Sequence, residues 1–94
     1  MPMFMCLLNW TEQGIRSIKE APKRAKAAHE LARVEIKEVY LTSGDSDLLV
    51  TLDTPNGDNI AKFVLAIGSL GNVRTRTARI WPQSEYLKMI SELP

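Results

Sequence analysis

Ninety-four residues, 45% of them hydrophobic and 24% charged, describe a folded chain with room for one core and not two. A formal net charge of +1 gives bulk electrostatics no hold on nucleic acid or an anionic membrane. Cys6 is the one cysteine and His29 the one histidine, so an intrachain disulfide, a multi-cysteine zinc site and a multi-histidine metal centre are all excluded.

The first element is a strand over residues 3–9. Its apolar run is too short for a signal segment and lacks a basic flank, and no stretch approaches the roughly 20 apolar residues that span a bilayer. A cytoplasmic protein with no membrane partner is the expectation. Phe4, Cys6 and Leu8 fall on one face of this strand and Met3, Met5 and Leu7 on the other, because side chains alternate. A strand that is apolar on both faces asks for cover on both.

Thr11 is placed to cap a helix over about 12–20, with Glu12 and Gln13 in the first turn. Pro22 should break it and open a second helix over about 22–33 that buries Ala25, Ala28, Leu31 and Ala32. Residues 35–42 and 47–53 read as two strands of a hairpin, joined by the turn Ser43-Gly44-Asp45-Ser46. In the second of these, Leu48, Val50 and Leu52 point one way while Asp47, Leu49, Thr51 and Asp53 point the other. Asn56 or Asp58 should cap a helix reaching about residue 70, with Ile60, Phe63, Val64, Ile67 and Leu70 on its apolar face. Gly68 and Gly71 bracket its end, where a left-handed cap is common. Residues 73–81 form a fourth strand, and Pro82 opens a short terminal helix carrying Tyr86, Met89, Ile90 and Leu93 on one face.

The order β-α-β-β-α-β plus a helix is an α+β arrangement. It predicts a ferredoxin-like sandwich with a four-stranded antiparallel sheet, both crossover helices on one side and residues 1–94 in a single domain. Two helices cover one sheet face only. Met5 and Leu7, with Leu49 beside them, then face water unless the terminal helix folds back or a second sheet packs against them. The terminal helix is short, so a homo-oligomer joined sheet to sheet, dimer or higher, is the expectation.

Charge is unevenly spread. Residues 16–33 hold six bases, Arg16, Lys19, Lys23, Arg24, Lys26 and Arg33, against Glu20 and Glu30. Residues 34–58 hold Lys37 against Glu35, Glu38, Asp45, Asp47, Asp53 and Asp58. A solvated helix beside acidic strand ends explains this more simply than docking of a basic helix on an acidic edge.

Four segments stand out together: Asn9-Trp10-Thr11-Glu12-Gln13-Gly14-Ile15; Ala21-Pro22-Lys23-Arg24; Val39-Tyr40-Leu41-Thr42 with Gly44 and Asp47; and the run from Leu65 through Gly68-Ser69-Leu70-Gly71-Asn72-Val73-Arg74-Thr75. In order and spacing they resemble the GYD-domain family of small bacterial and archaeal proteins, over nearly the whole chain. The resemblance implies a dimeric α+β barrel type of domain. Ser46 stands where the family has a tyrosine, so any role of that ring is lost here. The link at Ala32-Arg33-Val34-Glu35 is also a few residues short.

The candidate chemistry is sparse. Gly68-Ser69-Leu70-Gly71 lies at a helix end, not at a helix start where amides cradle phosphate, so capping is its expected role. The RNA-recognition order of elements lacks its stacking rings: residues 47–53 contain no aromatic, and no nucleic-acid partner is expected. Arg74 and Arg76 share a face, opposite to Arg79, and suit either a carboxylate or phosphate ligand or ion pairs with Asp47 or Asp53. Asp45 and Asp47 make an incomplete cation site. His29 reads as a partly exposed helix residue; a haem ligand is the alternative, with nothing else to support it. Cys6, on a central strand, reads as a small hydrophobe. Trp10 and Trp81 end neighbouring strands and could wall a pocket with Tyr40. Trp10, Tyr40, Arg74 and Trp81 are thus the candidate ligand-binding residues, with no catalytic residue, metal or cofactor indicated. The favoured function is a self-associating domain that takes a small apolar or anionic ligand. The alternative is a cofactor-independent enzyme of the dimeric α+β barrel type, monooxygenase- or isomerase-like, acting on a hydrophobic small molecule. No pair of groups with general acid–base spacing supports that alternative.

Overall fold

The computed structural model describes residues 2–32 and 34–94. The side chains of Ala28, His29, Leu31 and Ala32 lie outside the described residues, and with them the burial expected of the three apolar ones and the exposure expected of His29. In chain order the elements are β1 (Met3–Trp10), α1 (Glu12–Arg16), a 3-10 turn (Ile18–Glu20), α2 (Ala21–Ala32), β2 (Glu35–Leu41), β3 (Leu48–Asp53), α3 (Gly57–Ser69), β4 (Val73–Ile80) and α4 (Gln83–Ser91). The strands pair antiparallel in the order β2-β3-β1-β4, which is the ferredoxin-like order with β1 and β3 central.

Between β1 and α2 the chain departs from the expected helix over 12–20. Helix α1 stops at Arg16, and three residues of 3-10 turn lead into α2 at Ala21. Pro22 then sits in the first turn of α2, where its missing N–H leaves no bond unmade. Helix α3 begins as expected at the Asn56 cap, whose side-chain oxygen accepts the Asp58 amide at 2.7 Å. Just past its end the chain turns at Gly71, whose φ of 77° is the left-handed conformation that other residues avoid.

The core lies between the sheet and α2–α3. Cys6 and Leu8 of β1, Val50 and Leu52 of β3, and Ile60, Phe63 and Ile67 of α3 are all buried, with Val34 closing the α2–β2 corner. The period of two in the strands and of 3.6 in α3 meet here, which is why both patterns were visible in the sequence. Leu70 and Ala25, expected on buried faces, are exposed instead: Leu70 lies beyond the last turn of α3, and both border an apolar cleft beside α2 and α3.

The opposite sheet face is made of three rows that run across all four strands. From β2 to β4 these are Tyr40, Leu49, Leu7, Arg76; then Glu38, Thr51, Met5, Ala78; then Glu35, Asp53, Met3, Ile80. Helix α4 does not fold back over them. All nine of its residues are exposed, including Tyr86 at 45% and Ile90 at 53%, and it helps extend the molecule to 52 Å along its long axis against 28 and 17 Å across. The cover that α4 offered the second face is therefore not supplied within one chain. No helix among the described residues is long and apolar enough to cross a membrane.

Candidate functional site

The two motif segments that carry the strongest family resemblance meet at one end of the sheet and hold each other. Thr11 accepts the Gly14 amide on its hydroxyl oxygen at 3.1 Å and donates that hydroxyl to the Gly71 carbonyl at 2.5 Å. The Thr11 amide donates to the Asn72 carbonyl at 3.0 Å. Gln13 donates its side-chain amide to the Leu70 carbonyl and to Asn72 Oδ1, both at 3.0 Å. Gly14 is buried against this strap: a Cβ there would lie 2.0 Å from the Asn72 carbonyl oxygen. The chain end of α3 thus docks through carbonyls, not through free amides. This is a structural clasp, as expected of a helix C-terminus, and it leaves no amide nest for phosphate.

Behind the clasp, under α2 and α3, is a cavity of about 80 Å³ bounded by Leu8, Trp10, Arg24, Leu48, Phe63 and Ile67. Its walls are almost wholly apolar. Arg24 is tethered at the wall, donating to the Ser17 carbonyl at 3.0 Å and to the Ser17 hydroxyl at 3.1 Å. Such a space is roomy enough for several waters but offers them few polar partners, so it suits an apolar group better than ordered water.

The second face differs in kind. Its centre, Met3, Met5, Leu7, Leu49, Ala78 and Ile80, is apolar. The β2 margin is acidic, with Glu35, Glu38 and Asp53; Lys37, the extra residue of a bulge between Ile36 and Glu38, reaches Glu35 at 3.0 Å and Asp53 at 3.8 Å. The β4 margin is basic, with Arg74 opposite Asn9 and Arg76 opposite Leu7. Thr51 Oγ1 and Asp53 Oδ1 are buried on this face without a hydrogen-bond partner among the described residues. Tyr40 donates its hydroxyl to the Glu38 carboxylate, and that bond with the charge behind it pushes the phenol above its ordinary pKa.

The β2–β3 turn closes one end of this face. Ser46 is buried there, accepts from Arg76 at 2.7 Å on its hydroxyl, and takes the Thr42 hydroxyl on its carbonyl. Asn9 donates to the Asp45 carbonyl at 2.8 Å, and Asp47 accepts the Trp10 amide at 2.9 Å. Ser46 is thus a small buried side chain that anchors Arg76.

The four candidate ligand residues do not come together. Strands β1 and β4 are neighbours, but they run antiparallel, so Trp10 pairs with Val73 at the start of β4 while Trp81 follows Ile80, the partner of Met3. The two rings stand at opposite ends of the sheet, about 27 Å apart at 3.4 Å per residue. Trp10 is on the helix side, in the cavity; Tyr40 and Arg74 are on the second face. Trp81 instead stacks under the Arg79 guanidinium, 4.8 Å from its ring centre. The expected pairing of Arg74 or Arg76 with Asp47 or Asp53 is not made within the chain either: Asp47 and Asp53 lie on the far side of β1 and have other partners. The bonds made by Ser46 and Asn9 were not foreseen from the sequence, because they depend on where the turn folds. No group of three His, Cys, Asp or Glu side chains among the described residues is arranged to hold a metal.

Comparison with known proteins adds to the geometry. The sequence profile of the GYD domain matches residues 4–90. A Thermus thermophilus protein, named glutamine synthetase and cystathionine beta-lyase binding protein, is 26% identical over 91 residues, covering 93% of this chain and 96% of that one. The HTH-type transcriptional regulator FL11 of Pyrococcus abyssi is 40% identical over 55 residues, which cover 57% of this chain and 36% of the regulator. Among solved structures, a feast or famine regulatory protein of M. tuberculosis complexed with L-methionine superposes with a TM-score of 0.67 at 16% identity, over 88% of this chain and 52% of that one. The match spans only about a third of FL11 and half of the feast or famine protein.

Proposed function

The chain belongs to the GYD-domain family, and on that footing we propose that it is a self-associating, small-molecule-binding module. Two copies pack through the second sheet face and hold at its margin a small ligand with an apolar body and an anionic group. The observation that carries this reading is the apolar centre of that face, Met5, Leu7 and Leu49, which neither the helix layer nor α4 covers. Arg74 stands at the rim of this apolar floor without an ion pair among the described residues, which suits a carboxylate whose apolar part lies on the floor. The L-methionine with which the feast or famine regulatory protein is complexed is a ligand of this chemical kind, and FL11 is a transcriptional regulator by name; both support a ligand-responsive role.

Two measurements test this. Light scattering at micromolar concentration should give a dimer or higher, and Met5→Lys, which sets a charge in the middle of the apolar floor, should yield folded monomer by circular dichroism. An unchanged mass for Met5→Lys removes the sheet-to-sheet reading. A thermal-shift screen of L-amino acids should then find stabilisation that Arg74→Ala abolishes; stabilisation that survives Arg74→Ala removes the ligand site.

A separate observation favours a second reading, protein binding. Helix α4 presents Tyr86, Leu87, Met89 and Ile90 to solvent, and the Thermus relative that matches nearly end to end is named for binding two enzymes. Affinity measured against purified glutamine synthetase, with and without Ile90→Glu, decides it.

A further inference from the structure

The cleft between the helices and the sheet lies on the side away from Arg74, and it opens to solvent. Leu8 and Leu48 form its floor and Phe63 and Ile67 its inner wall, while Ala25 and Leu70 are exposed at its mouth. Ala25 puts only a methyl group there, so entry is not blocked on the α2 side. An apolar cavity of about 150 Å³ admits a benzene ring. The space here, about 80 Å³, therefore takes roughly three or four carbon atoms and leaves the rest of a longer molecule at the mouth. One charge borders it. Arg24 is half-buried, and its guanidinium is held by three neutral acceptors: the Ser17 carbonyl, the Ser17 hydroxyl and, at 3.5 Å, the Gly14 carbonyl. Three of its five N–H groups are used in this way and two remain. No carboxylate pairs with it among the described residues. Helix α2 begins at Ala21 on the same wall and has no acidic residue in its first turn, so the positive end of its dipole stands uncompensated beside the arginine.

We propose that this cleft is a second ligand site, one that takes the hydrocarbon tail of a short aliphatic monocarboxylate and holds its head at Arg24. The site is independent of the reading given above: it lies on the other side of the sheet and needs no second copy. The volume sets the tail, about four carbons inside and one or two more at the mouth, which excludes a bulky ring. The charge sets the head. A neutral hydrocarbon fills the space but leaves the cation unmatched, whereas a planar carboxylate suits the guanidinium N–H groups that remain. The tether to Ser17 fixes the guanidinium beforehand, so little side-chain freedom is lost on binding. An α-ammonium group on the ligand would meet the same positive field, so an amino acid is a poorer occupant than the simple acid.

The probe is sodium hexanoate, followed by the fluorescence of Trp10, which lines the cleft, in a Trp81→Phe chain where it is the sole indole. Trp10 emission should titrate to saturation. The dissociation constant should fall about fourfold per added methylene from butanoate to hexanoate, then level off once further carbons stay in water. 1-Hexanol, with the same tail and no charge, should bind about tenfold more weakly, and norleucine likewise. Arg24→Gln should remove the difference between hexanoate and hexanol, and Ala25→Leu, which fills the mouth, should abolish the response to both. No response of Trp10 to hexanoate at tens of millimolar, or one that survives Ala25→Leu, overturns the site. A constant that keeps falling beyond hexanoate overturns the volume limit. Hexanol or norleucine binding as tightly as hexanoate overturns the choice of a monocarboxylate. Hexanoate binding unchanged by Arg24→Gln overturns the role of Arg24. Should Arg24→Gln unfold by dichroism through loss of the Ser17 bonds, hexanoate against hexanol in the Trp81→Phe chain decides alone: tighter binding of the acid supports the proposal, and equal binding overturns it.

Discussion

Replacing Gly14 with alanine tests whether the family's two signature segments form a structural clasp. In an ordinary helix the change from glycine to alanine is favourable by about 1 kcal/mol. Here the new Cβ would sit 2.0 Å from the Asn72 carbonyl oxygen, and the neighbouring carbonyl carbon and Cα of Asn72 are at 2.9 and 3.1 Å. All three atoms are backbone, so no rotamer relieves the overlap, and the strap must move by more than about 1 Å to restore normal contact. That displacement breaks the Thr11 amide bond to Asn72 and disturbs the Gln13 bonds to Leu70 and Asn72. One lost hydrogen bond at about 1 kcal/mol, added to overpacking of about 1–3 kcal/mol, outweighs the propensity gain and leaves a net loss of about 1–3 kcal/mol. For a domain of this size 1 kcal/mol moves the melting temperature by roughly 4–8 °C, so the expected fall is about 5–20 °C in a calorimetric or dichroism melt. Gly68→Ala is the control, because nothing lies within 4 Å of its Cβ position and its backbone is helical; it should be neutral or gain up to about 1 kcal/mol. A Gly14→Ala protein as stable as the parent, or one that behaves like Gly68→Ala, refutes the clasp.

Phe63 is 4% exposed at the centre of the core, so Phe63→Ala should cost about 3–5 kcal/mol and leave the chain largely unfolded at 37 °C by dichroism. Burial pushes the Cys6 thiol above its ordinary pKa, against a smaller opposing effect of the Thr77 hydroxyl that donates to it at 3.6 Å. Alkylation of the folded chain at pH 8 should therefore be much slower than that of the unfolded chain. The neutral thiol favours the native state fully below the ordinary thiol pKa of about 8.5, and that contribution fades as pH rises through the higher folded value. Urea midpoints should accordingly fall above pH 9 in the parent more than in Cys6→Ala, and equal pH slopes in the two would remove the claim.

The local part of the fold was legible in the residues themselves. A short continuous apolar run marked β1, period-two alternation marked β3 and β4, and the 3.6 period with the Asn56 cap marked α3, because those patterns express the geometry of a single element. The order of elements then restricted topology to the ferredoxin-like sheet, since sequential strands and short crossovers leave few alternatives. Two-sided apolarity of β1 was equally plain, and the fold shows which side the helices take: Cys6 and Leu8 go inward, Met5 and Leu7 outward.

What concerns the site belonged to tertiary structure. Neighbouring strands suggested that Trp10 and Trp81 meet, but antiparallel pairing sends their ends in opposite directions, and only the register places Trp10 beside Val73 and Trp81 past Ile80. Gly14 gave no local sign of being irreplaceable, because the atom it avoids, the Asn72 carbonyl oxygen, is 58 positions away in the chain and arrives only when α3 docks. The acid-to-base order across the second face arises from strands β2 and β4, which the chain separates and the sheet sets at opposite margins. Sequence periodicity therefore determined the elements and their apolar faces. Register and docking decided which distant side chains share a surface, because contact across a sheet depends on strand order and direction, and neither is a property of any one segment.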